Sequence, residues 1–214
     1  VQIGYGTTEA GPVAFGPHPD GLPAPPLALG TPHPEVGIRL YRPGEEDPDD
    51  GVLEMACPAV TPGYHGLPEK TASVMTDDGY YRTGDVMRRD ENGFYSFVGR
   101  DDDMFVCNGE NVYPEQVERL LESHADVVQA CVVPVSDPVR GQMPVAFVVP
   151  GEKPFDEDTL KRFTLSEGPA YQHPRFIFPR DVLPLASTNK IDRKQLAAEA
   201  DDAVAARGGR AKTG

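Results

Sequence analysis

The chain of 214 residues is long enough for one large or two small domains and for a substantial hydrophobic core. Its content of 39% apolar and 25% charged residues is typical of soluble globular proteins. A formal charge of −14 argues against a nucleic-acid partner, because such a partner requires a basic surface. The sequence contains no run of about 20 apolar residues that would predict a membrane span, and no signal-peptide pattern.

The cysteines and the first residues give two further expectations. Cys57, Cys107 and Cys131 lie far apart and form no CxxC pair, which favours buried, reduced thiols and a cytoplasmic location. The chain opens on Val1, within the apolar segment VQIGYG and without a methionine. We therefore expect it to be part of a longer protein.

Up to Arg100 the pattern predicts short strands separated by turns. Strands are predicted at 37–41, 51–56, 80–82 and 93–98, and turns at 44–50, 76–79 and 90–93. Seven prolines between residues 17 and 34 predict an extended loop without a strand or helix. We predict that residues 1–100 are β-rich.

From residue 101 the pattern changes to alternating helices and strands. A helix is predicted from Pro114, a second from Asp156 and a third from Asp192, where Asp192 and Gln195 form a capping box. Strands are predicted at 127–135, 144–149 and 176–178. Residues 101–200 should form a compact α+β unit, and residues 201–214 a disordered tail.

The first segment that could carry chemistry is GYGTTE, residues 4–9. Glycines on both sides of Tyr5 allow a flat purine ring to approach the backbone. Thr7 and Thr8 supply hydroxyls for phosphate oxygens, and Glu9 offers an oxygen ligand for Mg²⁺. Taken alone, the segment is explained better as a strand followed by a Gly/Thr turn.

Three further segments show the same ambiguity. In YYRTGD, Asp85 on a glycine turn could accept two ribose hydroxyls or bond its own backbone. Arg100 precedes three aspartates, a repulsive arrangement that indicates a hinge or a solvated turn, and the segment GENVYP follows. Lys190 stands on a polar turn before the last predicted helix, where a lone lysine is usually exposed surface.

Together, these segments resemble the adenylate-forming superfamily, which includes acyl-CoA synthetases, amino-acid adenylation domains and luciferases. Its YGxTE, YxTGD, GRxDD and terminal lysine motifs occur here in order between Gly4 and about Leu196. The resemblance implies an α+β fold. Its first part would be the β-rich end of a large N-terminal domain, with part of a distorted β-barrel, and a small mobile C-terminal domain would follow.

The activity implied by the resemblance is that of an ATP-dependent acyl- or aryl-CoA ligase. Such an enzyme forms an acyl-adenylate and then an acyl-CoA thioester, using a small carboxylic acid, ATP, Mg²⁺ and CoA. The GENVYP segment is most similar to aryl-CoA and medium-chain acyl-CoA ligases. Aromatic acids are therefore the first expected substrates and fatty acids the second, and the resemblance implies a monomer or a homodimer.

The resemblance also implies a role for each matching residue in nucleotide binding. Tyr5 and Gly6 would lie against adenine, and Thr8 would meet the α-phosphate. Asp85 would bind the ribose hydroxyls, and Arg100 would contact the ribose and phosphate side.

Four matching residues would serve the chemistry and the movement between its two steps. Glu9 would help to hold Mg²⁺, and Lys190 would bridge the substrate carboxylate and the α-phosphate. Asp102 would be the hinge, and Gly109 would line the pantetheine path.

The sequence departs from the family pattern at two positions and lacks one motif. Val106 replaces a frequent lysine, and Asn189 replaces the usual glycine before Lys190, although asparagine tolerates left-handed angles. The phosphate loop of the family, rich in Ser, Thr and Gly and ending in Lys, does not occur in these residues. We therefore expect that the chain needs the missing N-terminal part and alone does not form acyl-adenylate.

Two alternatives remain at this point. One is an adenylation domain that loads a carrier protein, although no carrier-domain Gly-Ser-Leu signature follows Leu196. The other is a non-catalytic binding module that retains the fold.

Overall fold

The computed structural model describes residues 4–11 and 14–208, which form two compact units. The first unit ends at Asp102 and the second begins at Asp103. The predicted α+β fold with a β-rich first part is confirmed. Within the described ranges, every helix is too short or too polar to cross a membrane.

The first unit is built on a six-stranded antiparallel sheet that curls into half a barrel. The strands lie in the order β1-β2-β6-β5-β4-β3, and one short helix, α1, precedes β5. The elements are β1 (Phe15–Gly16), β2 (Ala28–Pro32), β3 (Gly37–Tyr41), β4 (Asp50–Ala56), α1 (Pro68–Val74), β5 (Tyr81–Arg89) and β6 (Tyr95–Arg100).

The core of the first unit is formed by one face of this sheet. Leu53 and Met55 on β4 and Met87 on β5 are almost fully buried and belong to one cluster with Phe15 and Tyr95. Residues two apart on a strand point to the same face, which explains why Leu53 and Met55 are buried together.

The prediction of a structureless proline-rich loop over residues 17–34 was wrong for its last part, which contains β2. Gly30 allows this strand to form, because a Cβ there would lie 2.2 Å from the carbonyl oxygen of Gly16 on β1. Its φ of +122° also lies in the region that favours glycine. Backbone pairing therefore overrides the local preference of the prolines.

The second unit is a five-stranded sheet with helices on both faces. β10 pairs antiparallel with β9, parallel with β11 and antiparallel with β7, which continues to β8. The elements are β7 (Phe105–Cys107), β8 (Glu110–Val112), α2 (Pro114–Glu122), β9 (Val127–Asp137), β10 (Gly141–Pro150), α3 (Glu157–Glu167), a 3₁₀ turn (Ala170–Gln172), β11 (Phe176–Pro179) and α4 (Arg193–Ala206).

Alternate residues of β9 pack in two apolar clusters, one on each face of the sheet. Val132 packs in a cluster with residues of α2 and α3, whereas Cys131 and Val133 pack in a cluster with residues of α4. The predicted caps at Asp156 and Asp192 are confirmed, because each side chain accepts from a backbone amide at the start of its helix. The capping box is only half formed: the Gln195 side chain donates to Glu199, and the Asp192 amide donates to the Pro184 carbonyl.

The prediction of a disordered tail from residue 201 was wrong for residues 201–206, which continue α4. Val204 is almost fully buried in the α4 cluster, and the guanidinium of Arg207 donates to Glu157 Oε2 at 2.6 Å. These contacts stabilise the last turn of the helix. Residues 209–214 lie outside the described part of the chain.

Candidate functional site

Tyr5, Asp85 and Arg100 form one hydrogen-bonded group in the first unit. The Tyr5 hydroxyl donates to Asp85 Oδ2 at 2.5 Å, and Arg100 Nη1 donates to Asp85 Oδ1 at 2.8 Å. Asp85 and Arg100 are also paired across β5 and β6. The structure thus brings together three of the predicted nucleotide-binding residues around one carboxylate.

Asp85 lies on a β-bulge within β5 and not on a turn, which corrects the expectation from the sequence. Val52 pairs with Val86 and Glu54 with Arg82, so residues 83–85 stand opposite Leu53 alone. The Thr83 hydroxyl donates to the Leu53 carbonyl at 3.0 Å and accepts from the Asp85 amide at 3.0 Å. The threonine thereby satisfies backbone groups that the bulge leaves without a ladder partner.

Gly84 makes the approach of Arg100 possible. Its φ is +75°, and a Cβ at this position would lie 2.9 Å from Arg100 Nη2. The Arg100 guanidinium also donates to the Thr83 carbonyl at 3.0 Å and, through Nε, to Asp102 Oδ1 at 3.0 Å. The predicted hinge residue Asp102 therefore contacts the same arginine as Asp85.

The electrostatics of this group keep Tyr5 protonated. Burial, followed by the hydrogen bond to Asp85, raises the pKa of the Tyr5 phenol far above its usual value. The hydroxyl therefore acts as a donor to the carboxylate. The Tyr5 ring packs edge-on against Phe15, with ring centroids 5.8 Å apart.

Glu9 belongs to a separate set of contacts on the segment of residues 4–11. Its Oε1 accepts from the Tyr64 hydroxyl at 2.8 Å, and its carbonyl accepts from the Thr61 amide at 2.7 Å. Gly6 and Thr8 are exposed on the same segment. Tyr64 was not predicted from the sequence, and no local signal marked it, because it is 55 residues away from Glu9.

The residues present fit a magnesium ion that is shared with a substrate. No group of three or more His, Cys, Asp or Glu side chains arranged for a metal occurs in residues 4–11 and 14–208. Mg²⁺ in phosphate-using sites is commonly bound by one or two carboxylates together with the phosphates. A single half-buried carboxylate, that of Glu9, meets this requirement.

Lys190 lies in the second unit at the end of a tight turn. The turn is closed by bonds from the Ala186 amide to the Lys190 carbonyl at 2.8 Å and from the Asn189 amide to the Ala186 carbonyl at 2.9 Å. Asn189 has a φ of +62°, which confirms the expectation that it adopts a left-handed conformation here. The Lys190 side chain is exposed immediately before α4.

Gly109 lies in the two-residue turn between β7 and β8. Asn108 and Gly109 have φ values of +55° and +84°, as expected for the connection of a tight hairpin. The Asn108 amide donates to the Arg140 carbonyl at 3.0 Å, which ties this turn to the one between β9 and β10. Val106, which replaces the frequent lysine, is exposed on β7.

Comparison with known proteins gives consistent matches. Residues 116–190 match the family described as AMP-binding enzyme C-terminal domain. The chain is 33% identical over 199 residues to a long-chain-fatty-acid–CoA ligase of Yersinia pestis, covering 90% of this chain and 34% of that enzyme. It is 36% identical over 149 residues to a 2-succinylbenzoate–CoA ligase of Listeria monocytogenes, covering 69% of this chain and 31% of that enzyme.

A solved structure agrees with these relatives. The o-succinylbenzoate CoA synthetase of Bacillus subtilis, in complex with its acyl-adenylate intermediate, is similar with a TM-score of 0.74 at 30% identity. The match covers 79% of this chain and 35% of that chain. The present chain thus spans about a third of the length of the proteins it matches.

Proposed function

We propose that this chain, which belongs to the adenylate-forming superfamily and corresponds to its C-terminal part, comes from an ATP-dependent acid–CoA ligase. The observation that carries the proposal is the Asp85 carboxylate, held on a β-bulge between the Tyr5 hydroxyl and the Arg100 guanidinium. The relatives whose names specify CoA ligases support the reaction class.

In this proposal the first unit binds the nucleotide. Asp85 accepts the ribose hydroxyls, because a carboxylate has lone pairs enough for several donors at once. Arg100 fixes the orientation of that carboxylate through a charge-assisted hydrogen bond and adds positive charge toward the phosphates. Tyr5 and Gly6 contact the base, and Thr8 the α-phosphate.

Glu9 would hold Mg²⁺, which when bound supplies positive charge to the ATP phosphates. Tyr64 orients the Glu9 carboxylate by donating to one of its oxygens. The other oxygen of Glu9 remains the proposed metal ligand.

The reaction has two steps. A carboxylate oxygen of the acid attacks the α-phosphorus of ATP, the bond to pyrophosphate breaks, and an acyl-adenylate forms. The CoA thiolate then attacks the acyl carbonyl carbon, and AMP leaves with the electrons of the broken C–O bond. Gly109 is the proposed contact for the pantetheine chain, and Asp102 the proposed hinge between the conformations used in the two steps.

Lys190 is the proposed cation for the first step, which joins two anionic reactants. A unit charge about 4 Å from the developing charge, at an effective dielectric near 20, contributes about 4 kcal/mol. This corresponds to roughly three decades in rate. The ammonium is free to act because the side chain is exposed.

The acid is proposed to be aromatic, with fatty acids as the second class. This choice rests on the GENVYP segment and agrees with a relative named for 2-succinylbenzoate. The test measures thioester formation by the full-length protein from a panel of benzoates, cinnamates and fatty acids. Comparing CoA with a carrier protein as the acceptor distinguishes a CoA ligase from an adenylation domain.

The decisive experiment replaces Lys190 with alanine in the full-length protein and measures the two steps separately. Acyl-adenylate formation should slow by about 10³-fold. Thioester formation from pre-made acyl-adenylate should remain. Lys194→Ala is the control, because Lys194 is a second exposed lysine, four residues further along the chain on α4. An equal loss in both steps, or the same loss in the control, would contradict the proposed role of Lys190.

A further inference from the structure

Arg193, the first residue of α4, makes several polar contacts within the second unit. Its Nη1 and Nη2 donate to the two carboxylate oxygens of Glu118 on α2, at 2.5 Å and 2.8 Å. Nη1 also donates to the Val132 carbonyl on β9 at 3.1 Å. One guanidinium therefore ties the start of α4 to the helix α2 and to the strand β9, against which α4 also packs.

Glu118 is itself fixed by the backbone of β9. The Val132 amide donates to Glu118 Oε1 at 2.7 Å, and the residue is only 8% exposed. It lies between Val117 and Leu121, which are fully buried on α2. A carboxylate in this environment is stable when it is paired, and Arg193 provides its charged partner.

Two more carboxylates lie close to the same guanidinium. Asp103 Oδ2 is 3.6 Å from Nε, and Glu115 Oε1 is 3.7 Å from Nη2. Asp103 is the first residue of the second unit, directly after the proposed hinge. Arg193 thus faces three carboxylates, and its removal would leave them to repel each other.

The turn that carries Lys190 has a short connection to Arg193. The Asp192 amide donates to the Pro184 carbonyl at 2.8 Å, and Leu185 pairs with Ile191, so both ends of the turn are held together. Lys190 lies three residues before Arg193, and Asp192 between them caps α4. A shift of Arg193 would therefore move the whole turn.

We propose that Arg193 is a positioning residue for Lys190, acting through its bidentate contact with Glu118. The inference rests on the proposed function, because it assigns a role in the adenylation step for which Lys190 is the cation. A bidentate guanidinium fixes direction as well as distance, which a lysine at the same position cannot do. The alternative is an ion pair that stabilises the fold alone.

The test compares Arg193→Lys with Arg207→Lys in the full-length enzyme. Arg207 pairs with Glu157 at the other end of the same helix, so its replacement perturbs α4 without contacting the Lys190 turn. Arg193→Lys should lower kcat for acyl-adenylate formation by about 10–100-fold, the usual effect of losing an orienting contact. The KM for ATP and the rate of thioester formation from pre-made adenylate should change less than about threefold.

A second readout does not depend on activity. Amide hydrogen exchange should accelerate over residues 184–192 in Arg193→Lys, because the turn loses its anchor, and should remain unchanged there in Arg207→Lys. Glu118→Gln, which removes the charge of the partner and keeps its shape, should reproduce both effects of Arg193→Lys.

The results separate this inference from the proposed function. If Lys190→Ala loses adenylation selectively while Arg193→Lys adenylates at the unchanged rate, the positioning role is wrong and the function stands. Equal losses in both steps for Arg193→Lys, or a selective loss in Arg207→Lys, would also overturn it. If Lys190→Ala forms acyl-adenylate at the normal rate, the role of Lys190 is wrong, and the positioning role of Arg193 is wrong with it.

Discussion

Replacement of Gly84 with alanine tests whether the bulge on β5 shapes the proposed nucleotide site. The residue has a φ of +75°, and an added Cβ would lie 2.9 Å from Arg100 Nη2 and 3.3 Å from Arg100 Cζ. The methyl group would push the guanidinium away from Asp85, to which Nη1 donates at 2.8 Å. We expect a loss of stability and a separate loss of ATP affinity.

The energetic cost of Gly84→Ala has two parts. A left-handed conformation costs a non-glycine residue about 1–2 kcal/mol. The displaced contact between Arg100 and Asp85 adds about 1 kcal/mol at most, because the arginine side chain is 38% exposed and water screens the pair. A loss of about 1 kcal/mol in ATP binding corresponds to roughly a fivefold increase in Kd.

Gly93→Ala provides the matched control. Gly93 has a φ of +79°, and no heavy atom lies within 4 Å of the position where its Cβ would be. Both variants should lose about 1–2 kcal/mol through the backbone, measured by urea unfolding of the full-length protein. Only Gly84→Ala should weaken ATP binding in titration calorimetry. Unchanged ATP affinity in Gly84→Ala would refute the link between the bulge and the nucleotide.

Two further predictions concern the second unit. Burial, followed by Arg175 and Lys161, lowers the pKa of His173 from 6.5 to about 4. As pH falls, the His173 imidazole is protonated in the unfolded chain before it is protonated in the folded one. The free energy of unfolding should therefore fall by about 2–3 kcal/mol between pH 6.5 and 4, and His173→Gln should lack this contribution. If the free energy of unfolding of the two full-length proteins has the same dependence on pH in acid titrations, the idea is wrong. Asp192→Ala should cost about 1 kcal/mol of helix stability in denaturant unfolding, and no change would contradict its capping role.

The elements that the sequence predicted best are those with strong local signals. The strand over residues 37–41 matches β3, and the helix from Pro114 begins where predicted. Caps at Asp156 and Asp192 were readable because a short acidic side chain before a helical pattern satisfies free amides. Such signals act within a few residues and need no knowledge of the tertiary structure.

The missed elements depend on distant contacts. β2 forms because Gly30 allows close pairing with Gly16, which no local pattern of prolines could show. The short helix α1 buries none of its residues and has no side-chain cap, so it lacked both an apolar stripe and a start signal apart from Pro68.

In the candidate site, too, residues with a local signal were predicted and contacts between distant residues were not. Motif spacing marked Asp85 and Arg100, and the structure pairs them across two strands. The contact between Glu118 and Arg193 was not predicted, because the two are 75 residues apart. One signal could have revealed it: Glu118 stands next to Val117 on the buried face of α2, where a carboxylate requires a partner.

The bulge at residues 83–85 links the position of the Asp85 carboxylate to the register of the whole strand β5. A shift of one residue in a strand turns its side chains to the opposite face of the sheet. Deleting one residue from this segment would therefore turn Met87, which is fully buried, away from the apolar cluster that it shares with Leu53 and Met55. A change of length at this point would therefore disturb the packing of the sheet, whereas a substitution of Asp85 would alter the carboxylate and leave the register of β5 intact.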